Sequence, residues 1–313
     1  MTSLKKKNPH VRDSRLSYNE HTHTYSTDTC HNFRNVTTVS KKPFKGFNAN
    51  KVAMRCSQSR NPKYIGKSAT TIKKGWENAR KNGTLLHHAI ELGLNDGYAT
   101  VDESIESEFD FFISWMNNKE NVGWEPYRTE WRIFDEELKV AGTLDALFVD
   151  SEGKFHLCDW KRCKAIHKHA YKNSRSVVEG FTHLIDCNFN HYAIQLNIYK
   201  YILERCYGVK VSTMRIVNLH PAFKNYQEFL VPEMSQEVQC LLLPGYIRYQ
   251  REPYPSCKFE HTIESVSLPE VESESNTKRS KKTEKRVRSS SPKPELSCLL
   301  SLLRRRRSMK KTK

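Results

Sequence analysis

The sequence lacks any long apolar run. No stretch approaches the roughly 20 residues needed to cross a bilayer, so no membrane-spanning helix and no membrane partner are expected. MTSLKKKNPH is basic, but no apolar stretch follows it, so it does not read as a secretory signal. Without a secretory route, the nine cysteines read as reduced thiols and not as a disulfide framework. Zinc-type spacing is missing as well. His21-Thr22-His23 share one strand face, yet no third or fourth ligand follows at suitable distance. There is no internal repeat, recognition helix or finger module. The apolar fraction is only 37% and the mean hydropathy −0.73. That suits a globular core with polar, disordered ends.

Net charge is also absent from one large region. The net charge is +17, yet residues 276–313 hold 15 Lys/Arg against 2 Asp/Glu, and residues 1–15 hold 5 against 1. The body between them is therefore neutral overall. Basic ends attract polyanions without base specificity. The clusters Lys278-Arg279-Ser280-Lys281-Lys282, Lys285-Arg286-Val287-Arg288 and Arg304 to Arg307 read as a nuclear import signal or a nucleic-acid tether. The expected location is the nucleus, with the cytoplasm as second choice, and an import receptor is an expected partner of the tail. Leu296 to Leu303 form a short apolar patch that reads as incidental.

What is present is periodicity. Residues 1–15 read as a disordered basic N-terminus and 16–65 as a small strand-rich region. A helix is predicted from an N-cap at Ser68 or Thr70 to about Leu92, interrupted at Asn82-Gly83. Ile105, Phe109, Phe112 and Met116 recur at helical spacing, giving an amphipathic helix over 103–118. Strands are predicted at 126–134, 138–149 and 154–162, then a long loop over 164–189. A helix follows at 190–206, ending near Gly208. Strands at 211–219 and 226–232 precede a helix at 235–250, bent or broken at Pro244-Gly245. This order predicts an α/β fold over 66–255, with a mixed central sheet and helices on both faces. Residues 256–313 read as a disordered basic tail.

The most informative stretch is Gly142 to Lys161. Two short apolar runs flank Asp150-Ser151-Glu152-Gly153, a hairpin signal. A hairpin centred on residue 152 pairs positions whose numbers sum to 304, so Asp145 faces Asp159. Facing residues have Cα atoms roughly 4.5–5.5 Å apart. Lys161, two residues beyond Asp159, points to the same side. Like charges set opposite each other destabilise a sheet, so a cation between them is expected. Hard divalent ions such as Mg²⁺ take carboxylate oxygens. A bound ion and an ammonium beside it are suited to phosphodiester hydrolysis. Protons should compete with the ion, so metal binding should strengthen with pH across the acidic range. On the helix before, His87 and Glu91 lie at i and i+4. Glu130 lies in the strand ahead of the hairpin with its facing unresolved. Gln195 and Tyr199 lie at i and i+4 on the helix after the long loop.

GTLLH (83–87), GTLDAL (142–147), DWK (159–161) and QLNIY (195–199) together resemble the RecB-like exonuclease branch of the PD-(D/E)xK nuclease superfamily. The resemblance covers roughly residues 65–250. HYAIQLNIYKYILERCYG with VNLHP is similar to nuclease-like proteins of large DNA viruses and phages. The resemblance implies a restriction-endonuclease-like core and roles by position. His87, Asp145, Asp159 and the Trp160 carbonyl would hold Mg²⁺ or Mn²⁺, and Lys161 would join Asp145 and Asp159 in catalysis. Gln195 and Tyr199 would contact DNA, with Glu130 and Glu91 as supporting residues. Some relatives carry an iron–sulfur cluster on an early cysteine and a tight late trio. Cys240, Cys257 and Cys298 are far apart, so no cluster is expected. The implied activity is a metal-dependent DNA exonuclease in viral or mobile-element replication, recombination or repair. The alternatives are a structure-specific endonuclease on flapped or branched DNA, and an inactive nuclease-fold protein that only binds nucleic acid.

Overall fold

In the computed structural model, residues 3–97, 99–118, 120–170 and 173–243 are described. In chain order the elements are α1 (Leu4–Lys7), β1 (Ser17–Asn19), β2 (Thr24–Ser26), β3 (Arg34–Asn35), α2 (Val36–Val39), α3 (Ala49–Ser57), α4 (Ala69–Asp96) and α5 (Glu106–Met116). Then come β4 (Glu125–Asp135), β5 (Val140–Val149), β6 (Phe155–Lys161), α6 (Asn188–Cys206), β7 (Val211–Asn218), β8 (Gln227–Leu230) and α7 (Ser235–Leu242).

The β5–β6 hairpin has the register its turn chemistry dictates. Ala146 faces Cys158, and Leu147, Phe148 and Val149 face Leu157, His156 and Phe155, every pair summing to 304. The Asp150 carboxylate accepts from the backbone N–H groups of Glu152 and Lys154, and Gly153 supplies the positive φ, 79°. β4 runs antiparallel to β5. β6 pairs in parallel with β7, and β8 closes that side antiparallel. β3 adds to β5 in parallel at Val140–Ala141. The result is a six-stranded mixed sheet, the predicted α/β class.

Its two faces carry separate cores. On one side α4 and α5 bury Leu86, Ile90, Phe112 and Trp115 against Phe148 and Trp160. On the other, α6 lays Ile194, Ile198 and Tyr199 on Leu147, Leu157 and Ile216. At about 25 cal/mol per Å² of apolar area, such aromatic and branched side chains carry most of the stabilisation.

Several expectations are corrected. Residues 3–15 are not disordered. Leu4 is buried, Asn8 donates from Nδ2 to the Tyr127 carbonyl, and Arg12 donates to that of Phe134. Asp13 forms a buried ion pair with Arg128, at 2.9 Å. The polar composition of this segment hid partners more than 100 positions away. Residues 16–65 are not a separate strand-rich region. Their strands are two or three residues long, two helices share the segment, and β3 belongs to the main sheet. Asn82-Gly83 does not interrupt α4. A mid-helix Gly costs about 1 kcal/mol relative to Ala, and the buried stripe Ile72, Leu86, Ala89, Ile90 and Leu94 offsets that. The helix ends where Gly97 takes φ 71° and caps Gly93. The predicted stretch of helix beyond residue 243, the basic tail and the leucine patch lie outside the described residues.

Candidate metal centre

Three polar side chains meet at the end of the hairpin. His87 from α4, Glu130 from β4 and Asp145 from β5 bring a ligand atom each within 4.8 Å of one another. His87 Nδ1 stands 3.6 Å from Asp145 Oδ2 and 3.8 Å from Glu130 Oε1. His87 Nε2 lies 3.0 Å from the Trp160 carbonyl oxygen. That oxygen can only accept, so Nε2 carries a proton. In the neutral ring Nδ1 is then the free lone pair, aimed at the two carboxylates. Fixing an imidazole by a hydrogen bond on its far nitrogen is the usual support of a metal-binding histidine.

The Trp160 carbonyl, expected as a ligand, accepts the hydrogen bond from His87 here. The Trp160 N–H donates to Asp145 Oδ2 at 2.8 Å. The peptide units on either side of Trp160 hold both the histidine and the first aspartate in place. The indole itself is buried and packs edge-on against Phe112 and Trp115, which makes the peptide a rigid mount.

Asp159 is only 2% exposed. Its carboxylate sits against the Lys161 ammonium. Neither Asp159 oxygen finds a well-aligned hydrogen-bond donor. A buried carboxylate in that condition costs stability. Burial raises its pKa, the Lys161 charge lowers it and the Asp145 charge raises it, leaving it pushed up to about 6. Burial likewise leaves Asp145 above its ordinary value despite the His87 and Lys161 charges. Burial disfavours the charged imidazole of His87, but Asp145 and Glu130 outweigh it and lift its pKa to about 9. Burial disfavours charge on Lys161 too, and the two aspartates again outweigh it, so its ammonium is held protonated. The hairpin therefore collects negative charge that the available cations only partly satisfy. Asp159 lies outside the three-residue cluster and faces Lys161 instead.

Glu130 is the least expected member. Its φ is +42°, a left-handed conformation uncommon for a residue with a side chain, in the middle of a strand. Such a residue costs on the order of 1–3 kcal/mol and persists only where its surroundings enforce it. They do so here. Asp13 accepts from both terminal nitrogens of Arg128 and from Trp131 Nε1. Asn95 of α4 donates to Thr129 Oγ1 and accepts the N–H of Leu4. Residues 128, 129 and 131 are thus pinned, and Glu130 is turned toward the cluster. Alternation along the strand could not reveal this.

The other candidates lie elsewhere. Glu91 pairs with His88 Nδ1 at 3.6 Å and is not part of the cluster. Tyr199 is only 2% exposed, so the predicted DNA contact does not fit its position. A side-chain hydrogen bond links it to the half-buried Gln195. The helix does supply a residue that the sequence reading passed over. The Tyr192 ring lies 4.8 Å from Lys161 Nζ. Tyr192 precedes Gln195 by three positions, so it shares that helix face.

No family model matches the chain, and no curated protein matches it. Among solved structures it is similar to one described as "Crystal structure of SSO0001", at 19% identity with a TM-score of 0.31, over 71% of this chain and 78% of that one. A likeness of that size carries no argument about fold or activity.

Proposed function

We propose that the protein is a Mg²⁺- or Mn²⁺-dependent phosphodiesterase with a RecB-like nuclease core, acting on DNA and favouring its ends. The reading rests on one observation above the rest. Glu130, Asp145 and His87 converge on one another near the buried Asp159–Lys161 ion pair, so three carboxylates share two groups that can carry positive charge. A fold gains nothing from this concentration of acid unless a cation is bound. The donor set, one nitrogen among carboxylate oxygens, suits Mg²⁺ or Mn²⁺ and not a soft metal.

His87 Nδ1, Glu130 and Asp145 would hold the ion, with Asp159 on its flank. When bound, the ion would lower the pKa of a water and neutralise charge developing on the phosphate. Trp160 fixes His87 and Asp145 through its peptide units. Lys161 keeps its proton and offers its ammonium to the phosphate oxygens. Asp159 holds that ammonium in place, and the Tyr192 ring limits its other directions.

The test is hydrolysis of linear and circular DNA with Mg²⁺ or Mn²⁺, with wild type beside Asp159→Ala and Lys161→Ala. Linear DNA should be degraded by wild type and spared by both variants, and circular DNA should survive. Nicking of circles would favour the endonuclease reading. Equal degradation by all three proteins would sink the assignment and leave a protein that only binds nucleic acid.

A further inference from the structure

The neutral average of the body conceals a strong separation of charge. Residues 41–81 hold 12 Lys/Arg and a single acid, Glu77. The rest of residues 16–275 must therefore carry a net charge of −11 to reach zero. All twelve cations are exposed. Among the described residues only Arg80 pairs with a carboxylate, that of Glu77. The segment comprises α3, the loop after it and the first half of α4.

A solvated helix face is the ordinary fate of lysines, but three observations point further. First, the cations line up with the metal centre. Lys73, Arg80 and His87 are seven residues apart on one unbroken helix. Seven residues are nearly two turns, so the three share a stripe, with Arg80 about 10 Å and Lys73 about 20 Å along the axis from His87. Second, α3 is fixed to this stripe. Ala53 is fully buried, and Lys73 Nζ donates to Asn50 at 3.0 Å. Lys51 and Arg55, at i and i+4, share a face of α3. Third, large apolar side chains stand in the open among the charges. Phe47 is 71% exposed with its ring 5.8 Å from that of Trp76, and Ile65 is 63% exposed. Cations that track a phosphate backbone, interleaved with exposed aromatic rings, are the makings of a single-strand binding surface.

We infer that α3 and the first half of α4 grip single-stranded nucleic acid and lead it along the helix to the His87 end. Phosphates meet Lys51, Arg55, Lys73 and Lys74, and a base stacks on Phe47. This deepens the phosphodiesterase reading by placing its substrate, and it rests on that reading only for what happens at the far end of α4.

Binding of a labelled oligothymidylate to the full chain, followed by fluorescence anisotropy in EDTA, tests the grip without cleavage. The fourfold variant Lys51→Ala, Arg55→Ala, Lys73→Ala, Lys74→Ala should bind at least about tenfold more weakly. Its slope of log affinity against log salt should be shallower by about 3, from roughly 0.7 per lost phosphate contact. Phe47→Ala should lose about tenfold while leaving the slope unchanged. Lys51→Arg, Lys73→Arg and Lys74→Arg together should bind like wild type. An unchanged affinity and slope in the fourfold variant would overturn the grip, as would a loss in the arginine variant equal to that in the alanine one. A duplex of equal length binding as tightly, with Phe47→Ala neutral, would overturn the single-strand assignment. Cleavage with Mn²⁺ is scored separately. A wild type that binds as described but cuts nothing refutes the phosphodiesterase alone, whereas a wild type that cuts, beside a fourfold variant whose affinity and salt slope are unchanged, refutes the grip alone.

Discussion

Gly142→Ala should destabilise the protein by more than its single methyl suggests. A Cβ at Gly142 would lie 2.8 Å from Tyr199 Cε1, 2.9 Å from Val36 Cγ2 and 3.0 Å from Val36 Cβ. Ordinary carbon contacts begin near 3.5 Å, so two walls must each yield by roughly half an ångström. Neither can yield easily. Val36 is fully buried on α2, and Tyr199 is buried on α6. Overpacking of this kind costs typically 1–3 kcal/mol, and two rigid walls favour the upper half of that range. For a folded region of this size, each kcal/mol lowers Tm by about 2–4 °C, so a fall of roughly 4–12 °C is expected. Thermal melting by circular dichroism in EDTA reads it. Adding Val36→Ala removes one wall, so the double variant should be more stable than the two single losses predict, by at least about 0.5 kcal/mol. A Gly142→Ala protein melting within about a degree of wild type would refute this account of the packing.

Three further outcomes are expected. Asp13→Ala strands a buried guanidinium, which costs about 3–5 kcal/mol. Burial alone would raise the Asp13 pKa, but the hydrogen bonds from Arg128 and Trp131 outweigh it and hold it below the ordinary value. Its stabilisation is present above the ordinary carboxyl pKa and lost as pH falls through the lowered one, so melting of Asp13→Ala should be less sensitive to pH in that acidic window. Mn²⁺ at a hundredfold excess over its Kd should add about 2.7 kcal/mol, read as a rise in Tm that Asp145→Asn abolishes. Lys161→Ala should keep a Mn²⁺-dependent rise in Tm while losing at least about a hundredfold in DNA hydrolysis, and loss of both together would mean that the lysine only shapes the site.

The hairpin was legible because turn chemistry and strand period are both local. Asp150, Gly153 and the apolar runs dictate the register as far as Ala146 opposite Cys158, and strand period sets Lys161 beside Asp159, whereas Asp145 meets His87 and Glu130 instead. His87 was placed by helical spacing and by family resemblance. Glu130 was not, because its orientation depends on a left-handed residue enforced by Asp13 and Asn95. Periodicity assumes regular backbone and is blind where tertiary contacts override it. The same blindness turned residues 3–15 into a disordered end. Conversely, Gln195 and Tyr199 stand at the spacing of a surface motif, but the aromatic ring is drawn beneath Gly142. A single net charge for the body likewise hid a cationic arm, because averaging discards position.

The brace between Asp13 and Arg128 joins residues 115 positions apart. Synthesis at about 5–20 residues per second therefore leaves the early partner waiting on the order of ten seconds for the later one. Until β4 has left the ribosome, Asp13 and Asn95 have no Arg128 and Thr129 to hold. The nascent chain thus completes its acidic cluster late, after the cationic arm has already emerged.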